Sequence, residues 1–210
     1  MQDIQLEVTK KLVQINTIKI QPSNPFTWAS GWKAPIYCDN RKLLSYPKER
    51  TFVRDQFVKL VKEKYPNAEV IAGVATGAIA IGVLVAEELG LPFVYVRSKP
   101  KGHGLENLIE GDLKVSQKVV VIEDLVSTGI SSLKAAEAIT NYGGDVLGML
   151  AIFTYNFPVA KENFVKQGIE LTTLSRYQTL LDVALEAGDI KEEDLDSLYQ
   201  WRQDPENWGK

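Results

Sequence analysis

The stretch Val119 to Ser132, reading VVVIEDLVSTGISS, constrains this 210-residue chain more than any other. Val119 to Ile122 form an unbroken apolar run, as expected of a strand buried on both faces of a parallel sheet. Two adjacent carboxylates, Glu123 and Asp124, follow it. A small, hydroxyl-rich turn runs from Val126 to Ser131, and a helical pattern then begins with Leu133, Ala136 and Ile139 on one side. Such a turn offers backbone N–H groups and hydroxyls to a phosphate, and the helix start adds the positive end of its dipole. The paired acids can hold sugar hydroxyls or a hydrated Mg²⁺. Without a ligand, the same stretch would be a polar turn with Ser131 or Ser132 as an ordinary N-cap. Two acids at a strand end are costly, however, unless something cationic or hydroxylic answers them. No G-x-x-x-x-G-K-[ST] occurs, so the site is not a P-loop.

Elements alternate along the chain. The pattern predicts helices over 4–13 and 47–64, the second opened by Pro47, and a strand over 69–74. A helix over 77–89 closed by Gly90 and a strand over 92–96 come next. After the central strand and its helix, ended by Gly143-Gly144, strands are expected at 146–153 and 169–172 around a helix at 160–167. Helices near 175–186 and 191–203 close the chain. Residues 18–44 are punctuated by Pro22, Pro25, Gly31 and Pro35 and read as irregular or strand-like. The expectation is an α/β fold, a central, mainly parallel sheet flanked by helices. Residues 1–210 would form a single domain, with about 1–45 and the C-terminal helices as peripheral elements.

Composition narrows the function classes. With 45% hydrophobic residues the chain can bury a sizeable core. A net charge of −3 argues against a nucleic-acid or membrane-surface binder. One cysteine, Cys38, leaves no intrachain disulfide framework and no cysteine-based zinc site. No apolar run has the length of a membrane span and no secretory h-region opens the sequence, so a cytoplasmic protein is expected.

A second segment concentrates positive charge. Arg97, Lys99 and Lys101 fall within seven residues of one another together with His103, the single histidine of the chain. Gly102, Gly104 and Pro100 interleave them, where the strand ending at Val96 should leave the sheet. In an acidic protein this suggests an anion clamp on a long loop, reaching to about Leu113, that opens and closes as a lid.

The stretch at 119–132 resembles the phosphoribosyl-diphosphate (PRPP) signature of type I phosphoribosyltransferases. Within that fold, orotate phosphoribosyltransferases carry an R-x-x-x-K-x-H-G loop, matched by Arg97, Lys101, His103 and Gly104. They also carry an F-T-x-x-S-G-x-x-x-P segment, matched by Phe26, Thr27, Ser30, Gly31 and Pro35. The continuation from Ile36 through Tyr37, Cys38, Asp39, Asn40 and Arg41 is similar to the Gram-positive branch. Departures occur at Ser98, where many relatives have a lysine, and at Val74 to Ala78 and Ala29, which also lack the lysine of some relatives. Phe153 to Asn156 lacks the arginine that some relatives use for the orotate carboxylate.

The resemblance implies a type I fold with a small N-terminal hood and a flexible catalytic loop. It implies an enzyme that joins PRPP to orotate, giving orotidine 5′-phosphate and diphosphate in pyrimidine synthesis. PRPP contacts fall on Arg97, Lys99, Lys101, His103, Glu123, Asp124, Leu125, Val126, Ser127, Thr128, Gly129, Ile130 and Ser131. Catalysis falls on Lys101, His103 and Asp124. Orotate would meet Ser127 and backbone groups around Lys33 to Tyr37. Mg²⁺ would be held mainly through PRPP and not directly by the protein. A homodimer is implied, each loop closing over its partner's site. Alternatives on the same fold are a purine-type transferase, which should lack the F-T-x-x-S-G and K-x-H-G segments, or a PRPP- or nucleotide-binding regulator. The aromatic tail with Tyr199, Trp201 and Trp208 is expected to serve helix packing or a subunit contact.

Overall fold

The computed structural model describes residues 2–28, 30–99 and 108–209. In chain order the elements are α1 (Gln2–Gln14), β1 (Ile18–Ile20), β2 (Phe26–Thr27), β3 (Lys33–Ala34) and β4 (Ile36–Cys38). A 3₁₀ turn over Asn40–Ser45 leads to α2 (Pro47–Lys64), β5 (Val70–Val74), α3 (Ile79–Leu89), β6 (Phe93–Val96) and β7 (Ile109–Glu110). Then come β8 (Lys118–Val126), α4 (Ile130–Tyr142), β9 (Asp145–Thr154), α5 (Pro158–Gln167) and β10 (Leu171–Arg176). Helix α6 (Tyr177–Ala187), a 3₁₀ turn at Glu192–Asp194 and α7 (Leu195–Gln203) finish the chain.

Six strands form the main sheet in the order β10-β9-β8-β5-β6-β7. All neighbours run parallel except β7, which lies antiparallel on β6. Helices α2 and α3 pack together on one side, with α3 against β5 and α1 against β10, while α4 lies against β6, β8 and β9. Crossover helices are what parallel neighbours require, and covering both faces leaves the inner strands apolar throughout. Every residue of β5 is accordingly buried, as are Val119 to Ile122 in β8. From β5 the chain turns to β6 on one side and then returns to lay β8 on the other. This reversal opens a crevice at the carboxyl ends of β5 and β8, where open α/β sheets bind their ligands.

Outside the main sheet lies a hood of short strands, β1 paired with β4 and β2 with β3, each pair antiparallel. Its strands are too short to be stable alone. An aromatic cluster carries it: Trp201 of α7 is fully buried and stands 5.2–5.7 Å, ring to ring, from Trp28, Tyr155, Phe157 and Tyr177. Trp201 Nε1–H donates to the Lys33 carbonyl at 3.2 Å, and Trp28 Nε1–H to the Ile36 carbonyl at 3.0 Å. The expected packing role of Trp201 is therefore met within the chain.

The sequence reading needs correction at several boundaries. The central strand runs on past Ile122 to Val126, because Glu123, Leu125 and Val126 stay in register with Ala151, Phe153 and Thr154 of β9. The segment expected as loop to Leu113 contains β7, which closes a hairpin on β6 through Tyr95–Glu110 and Val96–Ile109. Strand β10 begins and ends later than its apolar residues suggest, since Thr172 and Ser175 are buried polar positions. Ser175 faces α1, within 2.6 Å of the Thr9 hydroxyl. The helix expected over 191–203 is divided into a 3₁₀ turn and α7.

Candidate functional site

A cleft of about 490 Å³ occupies the crevice between β5 and β8. Its walls come from three places: Val74 to Gly77 after β5, Glu123 to Ser131 after β8, and Cys38, Asp39 and Arg41 of the hood. A wider hollow of about 710 Å³ adjoins it, sharing Val74, Ala75, Thr128 and Ser131.

The two acids are not equivalent. Successive strand residues point to opposite faces, so Glu123 is buried while Asp124 is half-buried on the cleft wall. Glu123 Oε1 accepts the Asp124 N–H at 2.9 Å, and Oε2 accepts the Ser132 hydroxyl at 2.7 Å. Burial, then the field of Asp124, pushes the Glu123 carboxyl well above the ordinary glutamate range, against the weaker pull of those two donors. Asp124 meets the opposite wall directly: a β-carbon added at Gly77 would collide with its carboxylate. Only glycine allows the turn after β5 to approach so closely. The Asp124 backbone is held from the hood, since Asn40 Nδ2 donates to its carbonyl at 2.7 Å. Asn40 is itself buried, with Oδ1 lacking a hydrogen-bond partner among the described residues.

The turn after β8 is shaped to leave its N–H groups open. Gly129 precedes α4 with φ of +79°, in the left-handed region, and no side chain caps the helix. The ordinary-cap alternative for the serines does not hold, because Ser132 spends its hydroxyl on Glu123 and Ser131 is exposed on the cleft wall. A side chain at Gly129 would strike the Phe164 ring. Asn163 of α5 fixes the turn by donating from Nδ2 to the Thr128 carbonyl at 3.0 Å. An anion fits such a turn, with peptide N–H groups and a helix start aimed at it.

On the hood side, Arg41 donates from Nε to Asp39 Oδ1 at 2.7 Å. That contact, more than the weaker opposing effect of burial, holds the Asp39 carboxyl below its ordinary range. Burial raises the Cys38 thiol well above its usual value, with Asp124 and Asp39 adding to the effect, so it stays protonated and poorly nucleophilic.

Of the residues expected from the sequence, Glu123, Asp124, Leu125, Ser127, Thr128 and Ser131 meet in the cleft. Val126 is buried in the strand end, and Ile130, half exposed, lines the neighbouring hollow. Arg97 lines that hollow too, paired with Glu110 at 3.1 Å. Its N–H donates to the Leu108 carbonyl at 2.8 Å, continuing the β6–β7 hairpin by one more bond. Lys99 is exposed and lines neither space. Lys101 and His103, with the rest of the expected lid over 100–107, lie outside the described residues. Sequence reasoning missed Asn40 and Arg41 as site residues. No local pattern marks Gly77 as the residue against which the Asp124 carboxylate packs. For Asn40 and Arg41 the available signal is the polar run from Asp39 to Lys42, directly after the strand-like Ile36 to Cys38.

A model of the phosphoribosyl transferase domain matches residues 43–167, which include the walls after β5 and β8 but not Cys38, Asp39 and Arg41. The orotate phosphoribosyltransferase of Phocaeicola vulgatus is 61% identical over 199 residues, covering 95% of this chain and 94% of that protein. That of Porphyromonas gingivalis is 58% identical, covering 96% of each. Among solved structures, orotate phosphoribosyltransferase from Aeropyrum pernix superposes with a TM-score of 0.75 at 26% identity, over 87% of this chain and 99% of the other.

Proposed function

The chain belongs to the orotate phosphoribosyltransferase family, and from that premise we propose how its cleft performs the reaction. The activity is transfer of the 5-phosphoribosyl group of PRPP to orotate, giving orotidine 5′-phosphate and diphosphate. Neither the purine-type alternative nor the regulator agrees with relatives of that name matched along nearly the whole chain.

The 5-phosphate rests in the turn Val126 to Ser131, on open N–H groups and the hydroxyls of Ser127, Thr128 and Ser131. The observation that carries this reading is the uncapped, glycine-turned start of α4 beside the acidic pair. Asp124 takes the ribose hydroxyls, and Glu123 supports it from below. Orotate N1 attacks C1 of the ribose while the bond from C1 to the diphosphate oxygen breaks, its electron pair leaving with diphosphate. Positive charge builds on the ring in the transition state, and a preorganised carboxylate beside it lowers the barrier. The turn Ala75 to Gly77 offers peptide groups to the diphosphate, joined by Arg97, Lys99, Lys101 and His103 when the lid closes and excludes water. The family resemblance assigns His103 the role of giving the leaving group a proton. Ser127 faces the base.

A divalent ion fits here as part of the substrate complex. No group of three or more His, Cys, Asp or Glu side chains gathers among the described residues to hold one alone, whereas Asp124 stands on the cleft wall with capacity for one shared contact. An ion held there by Asp124 and the substrate would supply positive charge to the diphosphate.

We take residues 1–210 as a single domain. No helix among the described residues is long and apolar enough to cross a membrane, and we place the enzyme in the cytoplasm as a homodimer. The test of function is orotate consumption, followed spectrophotometrically with PRPP and Mg²⁺, with adenine, hypoxanthine and uracil as controls. Turnover of a purine in place of orotate would overturn the assignment. The shared loop has its own test. Lys101→Ala and Asp124→Asn homodimers should each be nearly inactive, and mixing equal amounts should restore activity towards about a quarter of wild type, by random pairing of two-fold-related subunits. No recovery, with subunit exchange confirmed, would leave the loop acting on its own chain's site.

A further inference from the structure

Orotate brings a problem that the cleft must solve. It is an anion whose carboxylate sits on C6, next to the N1 that attacks, so that carboxylate must enter the cleft close to the reacting centre. Yet the described walls present the carboxyl groups of Asp39 and Asp124. The end of β9, Thr154 to Asn156, brings no arginine. A fully unanswered anion among these acids would be repelled and poorly solvated.

We propose that Arg41, which closes the hood side of the cleft, is the residue that captures the substrate carboxylate and selects orotate over neutral pyrimidines. This rests on the family's reaction taking place in this cleft. Among the described residues lining the cleft, Arg41 is the single cation. Of the other cations nearby, Arg97 is paired with Glu110 in the adjoining hollow, Lys134 lines that hollow and not the cleft, and Lys33 Nζ donates to the Thr27 hydroxyl at 2.9 Å. Arg41 is held by one edge only. Asp39 takes its Nε, and with the side chain 61% exposed its two terminal nitrogens have no hydrogen-bond partner among the described residues. A guanidinium offers paired, parallel N–H groups that match a carboxylate in a way an ammonium does not. Asp39 is then a positioning residue that aims the fork. The 3₁₀ turn carrying Arg41 is tied to the reacting centre by the neighbouring Asn40, whose amide donates to the Asp124 carbonyl at 2.7 Å. The field of Asp124 also reaches the guanidinium. Capture of the carboxylate would thus report directly to the wall on which the ribose sits.

Steady-state kinetics on wild type, Arg41→Gln, Arg41→Lys and Asp39→Asn test this, each with orotate and with uracil, the same ring without the carboxylate. Arg41→Gln should raise KM for orotate on the order of ten- to a hundred-fold, the loss of a charged hydrogen-bonding partner. KM for PRPP should stay near wild type, and the kcat/KM ratio of orotate to uracil should fall with the orotate effect. Arg41→Lys should recover part of that ratio, and Asp39→Asn should lose less of it than Arg41→Gln does. Because Arg41 is exposed, thermal melting should be nearly unchanged. An unchanged orotate-to-uracil ratio in Arg41→Gln, or a KM rise confined to PRPP, would overturn the proposal and hand Arg41 to the phosphosugar. A wild-type enzyme that fails to consume orotate would instead defeat the reading of function itself.

Discussion

The two sides of the cleft are built on opposite principles. The sheet side is local: β5 and β8 are buried, adjacent and parallel, and each delivers its functional residues in the next few positions of the same segment. The hood side is assembled at a distance. Its short strands depend on Trp201 from the far end of the chain and on Asn40 reaching across to β8. Rigid sheet ends suit the electrostatics of a charged transition state, which must be preorganised. A hood braced by a few long-range contacts suits recognition of the variable half of a reaction, the base.

That contrast can be broken first at its distant brace. Trp201→Ala removes a fully buried indole and its hydrogen bond to the Lys33 carbonyl, and should cost about 3–5 kcal/mol of stability, read from urea unfolding. The milder Trp201→Phe keeps a ring but not the donor, and should raise KM for orotate more than KM for PRPP. Equal effects on both substrates would mean that the hood and the sheet edge act as one unit.

The sheet side is probed by Asp124→Asn, which keeps the shape of the side chain and discards the charge. Turnover should fall on the order of 10²–10³, with the melting temperature close to wild type because Asp124 is only half-buried. Near-normal turnover would take the acid out of the mechanism and leave the β8 end as a binding surface alone.

The same contrast explains what the sequence could reveal. The start of α2 at Pro47 was legible because proline suits the first helical turn. The stops at Gly90 and Gly143 were legible because their left-handed φ values of 67° and 104° favour glycine. The acidic pair and the turn after it were legible because strand, turn and helix follow within one stretch. Strand β8 was read short, since its apolar run stops at Ile122 while its pairing with β9 continues. Strand β7 was missed because two residues carry no period. Asn40, Arg41 and the grip of Trp201 on the hood are relations between residues far apart in the chain, and no local pattern encodes them.

The smallest expected effect separates the two acids of the sheet side. Glu123 is enclosed, with its carboxyl pushed well above the ordinary range by burial and by Asp124. The folded protein therefore keeps a proton that the unfolded chain releases at lower pH. Between the ordinary glutamate value and the raised folded one, the unfolded state binds fewer protons, so this group makes wild-type stability decline as pH rises, levelling off once the folded form also ionises. Glu123→Gln cannot titrate, and its amide can still accept the Asp124 N–H and donate to the Ser132 hydroxyl, the two partners present in the wild type. The melting temperature of Glu123→Gln relative to wild type should therefore climb as the buffer is moved from acid to alkaline pH across that window, with Asp124→Asn losing less of the slope. A difference that stays flat with pH, or one that shrinks, would show that Glu123 is accommodated as a carboxylate in the folded enzyme.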